Sequence, residues 1–211
     1  MRIILTVLCL LAWPSLAEEQ AKQIFKELAP SLYQIRLIEN ASGEKSTIGS
    51  GFQIAEDGLM ATNYHVISGY AQFPDKYRLE YLDHEGNKGE LSLLHVDVVN
   101  DLALVRHESA DKNQFFNISK TDPDKGDKLF SLGNPHDLGM IVVPGTYNGI
   151  KKESFNERIH FTGSVNPGMS GGPVVDNLGK VVGVNVATSG NQIGFLVPQS
   201  KLFALIDEWK Q

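Results

Sequence analysis

The sequence predicts an all-β fold made of two sets of short antiparallel strands, with a helix at its end. Polar and apolar residues alternate with period two over most of the chain, which is typical of half-buried strands. Turn clusters rich in Gly, Asn and Asp interrupt that alternation at short intervals. The polar stretch Ala110–Lys128, which carries Asp122–Gly126, separates the two sets as a linker would. Two barrels and two sandwiches both satisfy this pattern.

A short helix is expected before the first set of strands. Glu18–Leu28 carries apolar residues at helical spacing, and Pro30 ends the pattern. Strands are then predicted over Tyr33–Ile38, Ser50–Ile54, Leu59–Thr62, Arg78–Leu82, Glu90–Val96 and Leu102–Arg106. The second set comprises Lys128–Leu132, Met140–Val143, Arg158–Phe161, Pro173–Val175, Val181–Ala187 and Ile193–Val197. Pro198 opens the final helix, whose apolar stripe runs from Leu202 to Trp209.

The charge and cysteine content exclude several classes of protein. The 211 residues carry a formal net charge of -6, and no run of Lys or Arg stands out. Nucleic-acid binders show a basic face, so we expect no nucleic-acid partner. The one cysteine is Cys9, in the leading apolar stretch. Thiol catalysis and disulfides are therefore not expected, and stability must come from a hydrophobic core.

The first 17 residues have the features of a signal peptide. Arg2 precedes the apolar stretch Ile3–Trp13, and Ser15 and Ala17 supply small residues for cleavage. This apolar stretch is much shorter than the ~20 residues that a membrane-spanning helix needs. We therefore expect cleavage after residue 17, no membrane span in the mature chain, and export to the periplasm or the exterior.

Three residues in the order His, Asp, Ser predict nucleophilic catalysis. His65 lies just after the strand Leu59–Thr62, where we expect a loop, and Asp101 directly precedes Leu102–Arg106. Ser170 lies among glycines before another apolar strand. Serine needs a base to take its proton, and imidazole needs a carboxylate to fix its tautomer. Each residue alone is a weak signal, but the three together, spread over both sets of strands, predict a triad.

The glycines around Ser170 predict a second feature of the same site. Gly168, Gly171 and Gly172 permit a tight backbone that side chains do not obstruct. A tetrahedral intermediate carries an oxyanion that must meet backbone N–H groups, and such a backbone can supply them.

The chain resembles the protease domain of the HtrA/DegP-type peptidases, within the trypsin-like, chymotrypsin-fold serine peptidases. The matching motifs occur in family order and cover nearly the whole mature chain; they are Gly49–Phe52, Thr62–Val66, Asp101–Val105, Gly133–Pro135, Asn166–Pro173 and Gly194–Pro198. The resemblance implies two antiparallel six-stranded β-barrels with the triad in the cleft between them, and a C-terminal α-helix. We place the first barrel with its leading helix at 18–118 and the second at 119–211.

The resemblance also implies the roles of the site residues. His65 would be the general base, Asp101 the acid that orients it, and Ser170 the nucleophile. The N–H groups of Gly168 and Ser170 would form the oxyanion hole. The implied activity is a serine endopeptidase that cleaves exposed protein segments through an acyl-enzyme, with protein or peptide substrates and without cofactor or metal.

Several positions depart from the family pattern. Met169 stands where the family most often has Asn or Asp, so activation by propeptide cleavage is not expected. The sequence stops at Gln211, so we expect no PDZ domain. Ser164 and Asn185 are predicted to line the specificity pocket. An Asp at the first position would select Arg or Lys and a His at the second would select Glu, so we expect a small or medium apolar P1 residue.

Other interpretations remain open at this stage. A catalytically silent or conditionally active binding or chaperone module could keep the same fold, and an esterase could use the same serine. Asp97 rivals Asp101 as the triad acid. His136, beside Gly133–Pro135, is either an exposed loop residue or a neighbour of the cleft. The sequence does not determine whether the chain forms homo-oligomers.

Overall fold

A leading helix precedes the first sheet in the chain, as predicted, and packs against a strand of the second sheet. The computed structural model describes residues 16–108, 114–153, 156–189 and 193–211. Helix α1 spans Leu16–Leu28 and a 3₁₀ turn follows at Ala29–Ser31. The predicted signal peptide lies outside the described residues except for its last two positions. Within the described ranges, no helix is both long and apolar enough to cross a membrane.

The first sheet has seven strands where six were predicted. They are β1 (Leu32–Glu39), β2 (Lys45–Gln53), β3 (Leu59–Thr62), β4 (Tyr77–Leu82), β5 (Lys88–Glu90), β6 (Ser92–Asp97) and β7 (Leu102–Arg106). Their order in the sheet is β5-β4-β1-β2-β3-β7-β6. The two edge strands, β5 and β6, are separated in the chain by Leu91 alone, whose N–H donates to Leu79 O at 3.0 Å. β5 and β6 are thus two halves of one bent strand, which accounts for the seventh strand. The sheet curls so that its two edges come together at Leu91.

The second sheet is a closed six-stranded barrel, as predicted. Its strands are β8 (Lys128–Gly133), β9 (Ile141–Glu153), β10 (Asn156–Thr162), β11 (Pro173–Val175), β12 (Val181–Ser189) and β13 (Ile193–Pro198), in the order β10-β13-β12-β11-β8-β9. Strand β9 runs far beyond its predicted end at Val143, because Pro144 and Gly145 do not form a turn. Both stay in register with β8, and a Cβ on Gly145 would lie 2.4 Å from the Phe161 ring. Glycine is needed there so that the strand can cross that ring.

The segment after β3 is a helix and not the expected loop. Helix α2 spans Tyr64–Gln72, so His65 is its second residue. Asn63 precedes the helix with an extended backbone, and Val66 and Ile67 are buried beneath it. Because the helix packs on the first sheet through these apolar residues, the backbone at His65 is fixed by the core.

The two sheets share one apolar core, which the terminal helix completes. Helix α3 spans Gln199–Trp209. Buried residues of both sheets and of α3 form one cluster that includes Phe52, Leu104, Phe130, Val184 and Leu202. The predicted linker joins this core wherever it is described: Phe116 is buried, and Ile118 forms a bridge with Val181. The connection therefore packs against both units, and only its residues 109–113 lie outside the described ranges.

Candidate active site

His65 and Asp101 are joined by two hydrogen bonds. The His65 backbone N–H donates to Asp101 Oδ1 at 2.9 Å, and the ring Nδ1 lies 2.7 Å from Oδ2. Asp101 has a φ of +62°, in the left-handed region, and its carbonyl accepts from Asn63 Nδ2 at 2.8 Å. Both carboxylate oxygens are thus engaged by one residue. This arrangement fixes the ring plane and favours the tautomer with its proton on Nδ1.

Asp97 does not share this position. Its two carboxylate oxygens accept from Asn100, from the backbone N–H at 2.9 Å and from Nδ2 at 2.6 Å. It therefore stabilises the β6–β7 turn that carries Asp101. On the far side of that turn, Arg158 of β10 donates to Asn100 O at 3.4 Å. Burial lowers the pKa of the Arg158 guanidinium, and the nearby carboxylates of Asp101 and Asp97 partly offset that effect.

Ser170 lies in a loop that is tied to both sheets. Its carbonyl accepts from the Ser50 N–H of β2 at 2.8 Å. The Gly171 N–H donates to Asn185 O of β12 at 2.9 Å, and Asn185 N–H donates to Gly172 O at 2.9 Å. These bonds hold the loop at 166–172 between the two units. It is called the nucleophile loop below, after the role predicted for Ser170.

Gly171 brings this loop into contact with the segment that precedes His65. Its φ is +84°, and a Cβ there would lie 2.3 Å from both Ser50 O and Thr62 Oγ1, and 2.9 Å from Asn63 N. No side chain fits in that space, which explains why glycine follows the serine. The close approach places Ser170 beside the start of α2.

The Ser170 hydroxyl is turned toward β12. Its Oγ donates to Val186 O at 2.9 Å. The register of β12 against β13 shifts between Asn185 and Ala187, so Val186 is a bulge residue. Bulges commonly occur beside active sites, where they redirect backbone groups. Within the part of the chain that the structure describes, no hydrogen bond joins Ser170 to His65.

The backbone amides of Gly168 and Ser170 were predicted to form an oxyanion hole. Pro167 O accepts from His136 N at 2.9 Å, and Gly168 O accepts from Ser50 Oγ at 2.7 Å. In the hydrogen bonds of the described residues, the Gly168 and Ser170 N–H groups donate to no acceptor. The C=O and N–H of a trans peptide point in opposite directions. Anchoring Pro167 O on one side therefore leaves the Gly168 N–H directed to the other.

The geometry agrees with comparisons to known proteins. The trypsin-like peptidase domain family matches residues 49–184. The chain belongs to this family. Members of the family are serine-type hydrolases. The chain is 32% identical over 171 residues to a probable periplasmic serine endoprotease, DegP-like, of Chlamydia trachomatis. It is 34% identical over 172 residues to the protein of the same description from Brucella suis.

These two relatives are much longer than the region that matches this chain. The alignments cover 76% of this chain and 33% and 32% of the two relatives, so the chain spans about a third of their length. The solved structure of Deg5 matches more completely, with a TM-score of 0.77, 28% identity, and coverage of 90% of this chain and 94% of that one. A serine endoprotease from Yersinia pestis gives a TM-score of 0.73 at 26% identity, over 90% of this chain and 66% of that one.

Asn185, which was predicted to line the specificity pocket of this trypsin-like domain, makes side-chain hydrogen bonds inside the second barrel. Asn185 is fully buried, its Oδ1 accepts from Ser131 Oγ at 2.9 Å, and its Nδ2 donates to Leu132 O at 3.2 Å. These bonds tie β12 to β8 and satisfy the buried amide within the barrel. Ser164 is half-buried, near the nucleophile loop. Met169, which stands between Gly168 and Ser170 in the chain, is fully buried in the apolar core of the second barrel.

Two groups of residues that support the trypsin-like site were not predicted. Ser50 is fully buried, its Oγ donates to Gly168 O, and it accepts from the Asn134 N–H at 2.9 Å. The sequence showed only that Ser50 lies between two glycines in a family motif, which gave no role. The second group is centred on Asp137, in the turn after Gly133–Pro135. The Asp137 carboxylate accepts hydrogen bonds from Gln34 of β1 and Lys45 of β2.

Proposed function

We propose that this protein is a serine endopeptidase with Ser170 as nucleophile, His65 as general base and Asp101 as the acid that orients the base. The observation that carries the proposal is the pair of hydrogen bonds from His65 to Asp101 at 2.7 and 2.9 Å. A carboxylate that engages both the ring and the backbone of a histidine leaves Nε2 available for a serine. The nucleophile loop packs against the residues just before that histidine, which supports the assignment of Ser170.

The chemistry would proceed in two halves. As the Ser170 oxygen bonds to the scissile carbonyl carbon, its proton passes to His65 Nε2. The carbonyl oxygen gains the negative charge and accepts from the N–H groups of Gly168 and Ser170. The C–N bond then breaks as His65 returns its proton to the leaving amine. Water repeats the sequence on the acyl-enzyme, which releases the acid and regenerates the serine.

We infer that the protein is exported and acts on exposed segments of other proteins. Two relatives are described as periplasmic serine endoproteases, and the predicted signal peptide at 1–17 agrees with export. We also propose an apolar P1 residue, because Ser164 stands six positions before Ser170 and brings no charge to select Arg or Lys.

A conditionally active module is the second candidate. One observation favours it: the Ser170 hydroxyl donates to Val186 O at 2.9 Å instead of to His65. The hydroxyl must rotate before His65 can take its proton. A module that keeps this rotamer until a partner binds would hold substrates without cleaving them.

Covalent labelling and proteolysis distinguish these candidates. A fluorophosphonate probe should label the mature protein, which should also cleave unfolded casein. Both signals should fall to background in Ser170→Ala and remain in Ser42→Ala, since Ser42 is an exposed turn residue. Failure of the unmutated protein to label would favour the silent module. Mass spectrometry of the casein fragments tests the P1 proposal, which a predominance of Arg, Lys or Glu would contradict.

A further inference from the structure

A tight turn lies directly beside the nucleophile loop. The Leu138 N–H donates to Pro135 O at 3.0 Å, and the two central residues have positive φ angles, 53° for His136 and 60° for Asp137. This is the backbone of a type I′ turn, which Gly, Asn and Asp form far more readily than other residues. Two consecutive non-glycine residues in the left-handed region are uncommon and carry backbone strain, so contacts with the surroundings must stabilise the turn.

Asp137 supplies that stabilisation through side chains of the first sheet. Its Oδ1 accepts from Gln34 Nε2 at 2.6 Å and lies 3.5 Å from Arg36 Nη2, while Oδ2 pairs with Lys45 Nζ. Gln34 is fully buried and in turn accepts from Arg36 Nε. Hydrogen bonds from Lys45 and then Gln34 hold the pKa of the Asp137 carboxyl below its usual value. The carboxylate therefore ties the turn to β1 and β2.

The turn connects this anchor to the oxyanion amides. The His136 N–H donates to Pro167 O at 2.9 Å, and that carbonyl belongs to the same peptide as the Gly168 N–H. A Cβ on Gly168 would lie 2.3 Å from Asn134 O and 3.1 Å from His136 N. The two loops are in direct contact. Rotation of the Pro167–Gly168 peptide would break the bond to His136 and turn the Gly168 N–H away from the substrate.

We propose that Asp137 is a positioning residue for the oxyanion hole. Its ion pairs with Lys45 and Arg36 hold the 135–138 turn, and the turn holds the Gly168 N–H toward the developing oxyanion. This inference rests on the proposed peptidase function. It assigns to the first sheet a role in transition-state stabilisation that is separate from supplying His65 and Asp101.

A direct role in substrate binding must be separated from this one. A cavity of about 370 Å³ lies beside the loop and is lined by Lys45, Ile48, His136, Asp137, Pro167 and Gly168. A substrate segment in this cavity could contact Asp137. A peptide methyl ester places no residue beyond the scissile bond, and a small fluorophosphonate places none before it, so a loss that both share reports on the oxyanion hole.

The central variant is Asp137→Ala, compared with Asp57→Ala as a matched control. Asp57 is likewise an acid paired with a basic residue, Arg106 at 2.9 Å, but it lies in the first unit, far along the chain from the nucleophile loop. Loss of one oxyanion donor lowers kcat by about 10²–10³-fold, so a donor that is misdirected part of the time should cost about 10- to 100-fold. We expect that loss in kcat for Asp137→Ala, with KM within about twofold, and no change for Asp57→Ala.

Inhibitor affinity gives a second test of the same variant. A peptide aldehyde should bind Asp137→Ala more weakly, in parallel with the loss in kcat, whereas the affinity of the matching peptide amide should not change.

Asp137→Gly separates the anchor from the turn. Glycine favours positive φ but carries no carboxylate. Under the proposal this variant also loses at least about tenfold in kcat, and a variant as active as the unmutated protein would overturn it. Equal losses of aldehyde and amide affinity in Asp137→Ala would overturn it too, because they would indicate substrate contact or general unfolding.

Hydrogen exchange provides a readout that does not depend on activity. In Asp137→Ala, peptides that cover 133–140 and 165–170 should exchange faster, while peptides from α3 keep their rates. Unchanged exchange in both peptides would overturn the anchor. If the unmutated protein neither labels nor turns over esters, the proposed function fails, and the exchange experiment still decides whether Asp137 holds the turn.

Discussion

Ser50 shows how one buried side chain can organise a cleft. Its N–H donates to Ser170 O at 2.8 Å, its hydroxyl donates to Gly168 O, and its carbonyl accepts from Thr62 Oγ1 at 2.7 Å. The nucleophile loop, the strand before His65 and the first unit therefore meet at one residue. A larger side chain would displace all three, and alanine would leave the buried Asn134 N–H without its acceptor.

The choice between the two candidate acids can be tested directly. Asp101→Asn should lower kcat by about 10⁴-fold, because an amide can donate to Nδ1 and stabilise the wrong tautomer of His65. Asp97→Asn should keep most of the activity, since its oxygens accept from Asn100 and not from His65. Steady-state kinetics on a peptide ester measure both effects.

Circular dichroism of the two variants provides the control for folding. Both should retain the β spectrum of the unmutated protein. The triad assignment would be wrong if Asp97→Asn lost activity and Asp101→Asn kept it.

Sequence reasoning predicted the residues that have reactive side chains in a recognisable local context. It missed the residues whose contacts exist only in the folded structure. His65, Asp101 and Ser170 were predicted because a reactive residue type and its local context both appear in the chain. Asp137 has no such context: its partner Lys45 is 92 residues away, and only the register of β2 brings them together. Asn185 was predicted as a pocket residue from its position in the chain alone, whereas its burial and its hydrogen bonds to β8 depend on the fold.

At the scale of elements, short buried strands were the easiest to predict. β3, β7 and β11 match the predicted runs residue for residue. Each is an apolar run that ends at turn residues, so local pattern and tertiary burial agree. Helix α2 and the second half of β9 were missed because tertiary contacts override the local signals there. Pro144 and Gly145 indicate a turn in isolation, but packing on Phe161 keeps them in the strand.

Helix α3 joins the two units, and its packing can be measured. It lies against β6 and β7 of the first sheet and against β12 and β13 of the second. Leu202 is fully buried in the shared core. Leu202→Ala should lower the free energy of unfolding by about 2–5 kcal/mol, because it removes buried apolar contacts and leaves a cavity.

Urea denaturation measures this loss, and Asp207→Ala is the matched control on the same helix. Asp207 is exposed, so its substitution should change stability by less than about 0.5 kcal/mol. An equally small effect of Leu202→Ala would contradict the view that α3 completes the core.

For the whole molecule, cohesion without disulfides must come from this continuous core. Cys9 is the one cysteine, and it lies outside the described residues. The predicted fold class was correct because alternating strands, turn clusters and a terminal helix together leave few architectures. The shared core was not predicted, since pairing between Ile118 and Val181 or burial of Phe116 depends on contacts between distant parts of the chain.

Global stability should also depend on pH through His107. The imidazole is buried, stacks on Tyr81 with ring centroids 3.9 Å apart, and meets Tyr33 edge-on at 5.5 Å. Burial lowers the pKa of His107, and the carboxylates of Asp83 and Glu108 offset that only in part. The ordinary histidine pKa is about 6.5, so below that pH the unfolded chain binds a proton that folded His107 resists. The free energy of unfolding should therefore be highest above about pH 6.5 and fall as the pH decreases, until the folded imidazole is also protonated.

His107→Phe isolates this contribution. The difference in unfolding free energy between the unmutated protein and His107→Phe should be larger at about pH 7.5 than at about pH 5.5, because only the unmutated protein loses stability through this group. Constant differences in packing or hydrogen bonding cancel in that comparison. A difference that stays constant between the two pH values would show that His107 titrates alike in both states, and that its burial does not oppose protonation.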